Sequence, residues 1–301
     1  METIWDCAII GGGPAGLSAA LVLGRARRNV VLFDSGRPRN AVTRETHGFL
    51  TRDGIPPYEF RRISHEELAR YPSVRIRNTA VADARNAGGH FQLRAMDGLI
   101  YRSRKILLAT GLVEELPAVP GIRDFYGVSL FNCPYCDGWE RKDEPLVIIS
   151  ETEHAFDLVK SVYPWSRNLI LATNGHYVLS HEQRRKLAAR GIPVYEQRIR
   201  ALVGTGGRLE KVVFENGAEE RRAGGFVSPV WSHPNVFDRA LGCRRNEHGG
   251  IAADDFGRTS AHGVFAAGDA ANIVPPQLIV AAAGGCRAAI GINSELTSED
   301  F

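Results

Sequence analysis

Six residues near the start of the chain, Gly11-Gly12-Gly13-Pro14-Ala15-Gly16, restrict its fold more than any other feature. They follow a short apolar run, Asp6-Cys7-Ala8-Ile9-Ile10, and precede a Leu- and Ala-rich stretch from Leu17 to Gly24. A second apolar run, Asn29-Val30-Val31-Leu32-Phe33, ends on Asp34. Strand, turn, helix and strand in this order open a doubly wound sheet with a right-handed crossover. Gly11, Gly13 and Gly16 have the G-x-G-x-x-G spacing, with Pro14 and Ala15 between the last two, and Asp34 lies 18 residues beyond Gly16. Glycines so placed allow a tight turn, approach of backbone to a pyrophosphate, and close helix–strand packing. The helix N-terminus supplies N–H groups, and Asp34 is suited to accept from a ribose hydroxyl. A Gly-rich turn without a ligand explains the glycines but not the acid in register.

Two more strand ends favour FAD over NAD at this site. Lys105-Ile106-Leu107-Leu108-Ala109 closes on Thr110-Gly111, and Gly263-Val264-Phe265-Ala266-Ala267 closes on Gly268-Asp269. An Asp at such an end can accept from ribityl hydroxyls while the glycine admits backbone. Between these strands the β-α-β pattern recurs: a strand at 145–150, a helix at 153–163, a strand at 168–172, then a charged helix and short strand over 181–200. Residues 41–72 read as helical in their second half, 74–105 alternate as antiparallel strands do, 201–222 read as a hairpin, and 277–295 as a closing helix. The fold class is therefore α/β, with two Rossmann-like three-layer domains. A discontinuous FAD domain, 1–112 and 238–301, is expected to hold an inserted domain at 113–237 that resembles a pyridine-nucleotide domain.

That insert carries Phe131-Asn132-Cys133-Pro134-Tyr135-Cys136-Asp137-Gly138-Trp139-Glu140. Three-residue spacing puts both sulfurs on one side of a helical turn, within bridging distance. A helix starting there would favour thiolate. Asp137 directly follows the second cysteine and can give a proton to a departing thiolate or take one from an entering thiol. A zinc site would need about four ligands. Cys7, Cys243 and Cys286 are isolated, and His154 and His176 are too far apart in sequence for a finger, so no metal is expected. The isolated cysteines read as small buried apolar residues.

Composition narrows the partners. A formal charge of +3 on 301 residues gives no reason for nucleic-acid or membrane binding. No apolar run approaches the ~18 residues that span a bilayer. Met1-Glu2-Thr3-Ile4-Trp5-Asp6 has no signal-peptide pattern, so a cytoplasmic location is expected. In a reducing compartment a Cys-x-x-Cys pair is more often catalytic than structural.

An FAD fingerprint, an insert with Cys-Pro-Tyr-Cys-Asp-Gly and a closing Ala-Gly-Asp strand together resemble the low-molecular-weight thioredoxin reductase family over nearly the whole chain. The resemblance implies an FAD-dependent disulfide oxidoreductase and a homodimer. It makes Cys136 the sulfur facing the flavin, Cys133 the one that exchanges with substrate, and Asp137 the acid. Gly268 and Asp269 match the second FAD motif. Gln277 and Leu278 match the helix start near the flavin's pyrimidine edge, although Pro276 stands where the family has Arg. The stretches Asp34-Ser35-Gly36-Arg37-Pro38-Arg39-Asn40 and His47-Gly48-Phe49-Leu50 are similar to those of dithiol oxidases of the gliotoxin and holomycin type, and of relatives that do not use NADPH. They add Asn40 and His47 to the cofactor site. His47 is read either as a base near the flavin or as a capping or packing residue.

The second nucleotide site of that family is missing. After Val147-Ile148-Ile149 the chain reads Ser150-Glu151-Thr152-Glu153-His154-Ala155, and the next strand ends Ala172-Thr173-Asn174-Gly175. No glycine admits a pyrophosphate there, and no arginine cluster meets a 2′-phosphate. Two carboxylates occupy the turn, where like charges cost on the order of 1–4 kcal/mol. Arg184 and Arg185 either rescue binding or form a solvated helix face. The expected reaction is electron passage from flavin through Cys133–Cys136 to a thioredoxin-like disulfide, with an unidentified donor such as a ferredoxin-like carrier. The alternative is an oxidase in which a small dithiol reduces the pair and O2 reoxidises the flavin. A flavin-bearing sensor with an idle dithiol is a third class. Phe301 is read as stacking on the flavin or as a frayed end.

Overall fold

The computed structural model describes residues 4–233, 236–271 and 276–301; Met1, Glu2 and Thr3, part of the N-terminal reading above, lie outside them. The first stretch runs β1 (Ile4–Ile10), α1 (Pro14–Arg25), β2 (Val30–Phe33), α2 (Pro57–Leu68), β3 (Val74–Arg77), β4 (Val81–Asn86), β5 (Phe91–Ala95) and β6 (Ile100–Leu108). The middle stretch holds β7 (Val113–Glu115), α3 (Ile122–Phe125), β8 (Leu130–Phe131), α4 (Pro134–Asp137), β9 (Leu146–Ile149), α5 (Ala155–Val162), β10 (Leu169–Ala172), α6 (His181–Ala188), β11 (Val194–Tyr195), β12 (Ile199–Thr205), β13 (Arg208–Phe214), β14 (Glu219–Arg221), β15 (Gly224–Val227) and β16 (Val230–Ser232). The last stretch adds α7 (Phe237–Ala240), β17 (Val264–Ala266) and α8 (Leu278–Asp300). Two compact units result. The first comprises residues to Ala41, Gly48–Val113 and Ser232 onward; the second comprises Val42–His47 and Glu114–Trp231.

In the first unit the sheet order is β3-β2-β1-β6-β5-β4, with β17 also pairing β6. β1, β2, β3, β6 and β17 are mutually parallel, while β4 and β5 are antiparallel. Parallel strands covered on both faces read as unbroken apolar runs, as Cys7 to Ile10 and Val30 to Phe33 do. Cys7, Ile9 and Leu107 point to the face covered by α1 and α8; Ala8, Ile10 and Leu108 point to the other. Pro14 sits in the first turn of α1, where its missing N–H would have had no helical partner. A Cβ on Gly285 of α8 would stand 2.0 Å from the Ala15 carbonyl oxygen, so the two helices pack with almost nothing between them. Fully buried Leu23 on the same face contributes roughly 1.5–3 kcal/mol. Lys105, 2% exposed, reaches from β6 to Glu295 and Glu299 and ties down the far end of α8.

The second unit has a parallel sheet, β11-β10-β9-β15-β8, and a meander, β12-β13-β14. Val147, Ile149, Ile170 and Ala172 face the meander's Leu202, Val212 and Phe214. Leu146, Ile148, Leu169 and Leu171 face Ala155, Val159 and Val162 of α5 and Leu187 of α6. The stretch 201–222 is thus a three-strand meander rather than a hairpin, because β14 pairs back onto β13 from Glu219 to Arg221. Among the described residues no helix is long and apolar enough to cross a membrane.

Candidate active site

In the first unit three strand ends converge. Gly11, with φ of 118°, turns so closely past β6 that a Cβ would meet the Ala109 carbonyl oxygen at 2.1 Å. A Cβ on Gly16 would meet the Gly11 oxygen at 1.9 Å, which fixes α1 directly against β1. Gly13 caps α1 without a side-chain hydrogen bond and faces open space. Gly268, at the end of β17, lies against Ala15 of the same turn, and Gln277 caps α8, which begins at Leu278. Thr110 and Gly111 close β6 alongside, in the crevice at the carboxyl ends of parallel strands.

Asp34 is buried at the end of β2 and accepts from the Gly36 N–H (2.8 Å) and from Arg61; His65 lies 3.6 Å away. Burial opposes its ionisation, but hydrogen bonds from His65 and Arg61 outweigh that and bring its pKa down to about 2. Asp269 is pushed up by burial, partly opposed by Arg39 at 3.3 Å. An uncapped helix N-terminus open above Gly13, an ionised ribose acceptor and a half-buried carboxylate at a glycine turn fit FAD. Arg61 and His65 were missed in the sequence because only α2, folded back over β2, brings them to Asp34.

In the second unit Cys133 and Cys136 form a disulfide with Cα atoms 5.2 Å apart. The local reason is α4, a single turn with Cys133 as its N-cap and Pro134 in its first turn, in which the Cys136 and Asp137 N–H groups both donate to the Cys133 carbonyl. Burial lifts the Asp137 carboxyl to about 7; His47 pulls it down, Glu140 pushes it up, and Arg141 pulls it down. At that value it is both acid and base near neutrality. Tyr135 and Trp139 are exposed on either side of this turn. His47 is held in this unit, its Nε2 3.7 Å from both Glu45 and Glu140. Among the described residues no group of three or more His, Cys, Asp or Glu is placed to hold a metal ion.

The second turn of this unit is filled by its own side chains. Glu151 Oε1 accepts from the Ala118 N–H at 3.2 Å and from Asn174 Nδ2 at 2.6 Å. Asn174, left-handed at φ 49°, accepts in turn from the Ile199 N–H at 2.9 Å. Glu151 thus bridges the ends of β9 and β10 where a pyrophosphate would approach. Arg184 pairs with Glu196, and Arg185 is exposed on the surface of α6. Phe301 is fully exposed at the end of α8, and Asn40 lies half-buried beside Arg39.

A dinucleotide cradle in one unit and a bridged Cys-x-x-Cys pair with its own acid in the other together define the class. The sequence profile of the pyridine nucleotide-disulphide oxidoreductases matches residues 5–285, and the chain belongs to that family. Within it the chain is a thioredoxin reductase-like, FAD-dependent disulfide oxidoreductase. A probable thioredoxin reductase of Arthroderma benhamiae is 32% identical, over 99% of this chain and 82% of its own. Thioredoxin reductase sirT of Leptosphaeria maculans is 31% identical, over 99% and 96%. Among solved structures, TrxB from Bacillus anthracis matches with a TM-score of 0.96 at 48% identity, over 99% of this chain and 100% of that one. These relatives carry reductase names and do not favour the oxidase alternative.

Proposed function

We propose that the chain carries reducing equivalents from a donor other than NADPH, by way of FAD and the Cys133–Cys136 pair, to the disulfide of a thioredoxin-like protein. The observation that carries this reading is the bridged pair with a carboxyl at about 7 directly after it. FAD, held by the Gly11–Gly16 turn, Asp34, Asp269 and the start of α8, supplies a two-electron store. The remaining chemistry belongs to the side chains. Cys133, as thiolate, attacks the partner's disulfide; that S–S bond breaks, a mixed disulfide forms, and the leaving thiolate takes a proton from Asp137. Cys136 then attacks the Cys133 sulfur, releases the second partner thiolate and restores the internal disulfide. Exposed Tyr135 and Trp139 offer apolar surface to a protein partner.

Rejection of NADPH rests on the Glu151–Asn174 bridge and on a turn without glycine. A one-electron carrier of the ferredoxin kind suits such a chain. Family resemblance supports a homodimer, and a dithiol suited to a reducing compartment supports a cytoplasmic location. Mixing the purified holoprotein with excess NADPH is expected to leave the oxidised flavin absorbance unchanged over minutes, whereas dithionite bleaches it. Prompt bleaching by NADPH would overturn this donor assignment.

A further inference from the structure

The dithiol turn backs onto a cleft of about 890 Å3 that lies wholly within the second unit. Asp137 lines it; neither cysteine does. On the segment after α4 the cleft is lined by Glu140, Arg141 and Glu144; on Val42–His47 by Arg44, Glu45 and His47; and on the β12–β13 hairpin by Arg208 and Glu210. Two of these groups stand out. Glu140, just past the end of α4, lines the same cleft as Asp137 and lies close enough for its charge to raise the Asp137 carboxyl. His47 Nε2 lies 3.7 Å from Glu140 Oε1 and 3.7 Å from Glu45 Oε2, a span that one rotamer adjustment or one water closes. Glu45 is more than half exposed and Glu140 about a third, whereas His47 is mostly covered.

We propose that His47 and Glu140 relay protons between the solvent of this cleft and the Asp137 carboxyl, so that Asp137 is recharged from behind while the sulfurs are engaged in front. This rests on the exchange reaction proposed above, in which the first departing thiolate removes one proton from Asp137. The balance is simple. A hydronium ion in the cleft protonates His47, His47 passes the proton to Glu140, and Glu140 passes it to the Asp137 carboxylate, leaving water and a neutral carboxyl. No bond to carbon or sulfur changes in the relay, and no electron moves. The opposed charges also set Asp137 itself: Glu140 holds its affinity for a proton up, and His47 and Arg141 hold it down. His47 and Glu140 are positioning residues acting through Asp137; the sequence offered His47 as a base near the flavin or a packing residue and did not single out Glu140.

The test uses the full-length holoprotein, reduced with dithiothreitol, freed of it by gel filtration and mixed for a single turnover with small disulfides, from 2-hydroxyethyl disulfide, whose leaving thiol needs a proton, to 5,5′-dithiobis(2-nitrobenzoate), whose thiolate leaves unaided. With the hydroxyethyl substrate, Glu140→Gln and His47→Asn are each expected to lose about tenfold in the single-turnover rate, less than the hundredfold or more of a group that meets the reacting atoms. The loss should shrink as the leaving thiol becomes more acidic. The alkaline limb of the rate profile should move to lower pH in Glu140→Gln and to higher pH in His47→Asn, and millimolar imidazole should restore turnover to His47→Ala. Losses equal for both substrates, with unshifted limbs and no rescue, would show that the two residues merely support the fold and would overturn the relay. Cys133→Ser is the separate control. Should it keep full turnover, the exchange reaction itself is wrong, whatever the relay variants do.

Discussion

Two strand–turn–helix units in this chain start alike and end differently. After β1 the chain turns on Gly11 and Gly16, leaves the N-terminus of α1 uncapped and places ionised Asp34 at the end of the next strand. After β9 it turns through Ser150-Glu151-Thr152-Glu153-His154, and Glu151 takes hydrogen bonds from Ala118 and Asn174. In the first, the N–H groups at the start of α1 are left uncapped for a ligand to satisfy, while Asp34 is held by Gly36 and Arg61. In the second, the protein satisfies its polar groups itself. A parallel sheet therefore needs helices on its faces but does not need a nucleotide at its crest, provided the crest's donors and acceptors find partners. The apolar cores of both units are equally continuous, so the difference lies in the turns and not in the packing.

The strongest way to break this contrast is at Gly11. Its backbone is left-handed and a Cβ would lie 2.1 Å from the Ala109 carbonyl oxygen, so Gly11→Ala must move either β1 or β6. We expect the variant to purify without flavin absorbance, or not to fold. Far-ultraviolet circular dichroism separates the two. A change of similar kind in the second turn, Thr152→Ala, should leave both flavin content and melting temperature nearly unchanged.

A smaller effect is expected from acid. Asp34 has a folded pKa of about 2, well below the ordinary aspartate value of about 3.9, so its ionised form is favoured by folding. A depressed carboxyl pKa contributes stability that is full above the unfolded value and is lost as pH falls through the folded one. The shift corresponds to about 2 kcal/mol. Urea midpoints measured between pH 5 and about 2 should fall more steeply in the parent than in Asp34→Asn. Equal slopes would mean that Arg61 and His65 do not stabilise the carboxylate.

The sequence showed the first site and not the second for a physical reason. Gly11, Gly13, Gly16 and Asp34 are set by local geometry, because turn, helix start and strand end are all within one β-α-β unit. The Cys133–Cys136 bridge and Asp137 are likewise local to one turn. What holds Asp34, however, comes from α2, and what fills the second turn comes from Asn174, 23 residues beyond Glu151. His47 was legible as a titratable group but not as a neighbour of Glu140, because the segment Val42–His47 belongs to the second unit while both its flanks belong to the first. Gly127 packs so tightly on Val42 that a Cβ there would stand 2.3 Å from its carbonyl oxygen, a contact across a sequence gap that no local pattern encodes.

The smallest expected effect is the most informative about how the second turn was closed. Glu151→Ala removes one acceptor from a half-buried site and leaves Asn174 Nδ2 facing the Ala118 carbonyl at a longer 3.4 Å. Water reaches part of the gap, so the cost should be about 1 kcal/mol, or roughly 2 °C in the melting temperature of a chain this size. Glu151→Gln keeps an acceptor oxygen and should recover most of it. Neither variant should admit NADPH, because the turn still lacks a glycine and the end of β10 still lacks an arginine for the 2′-phosphate. Flavin bleaching by NADPH in Glu151→Ala alone would show that one carboxylate had been the whole barrier, and that the second turn is a blocked nucleotide site rather than one rebuilt as structure.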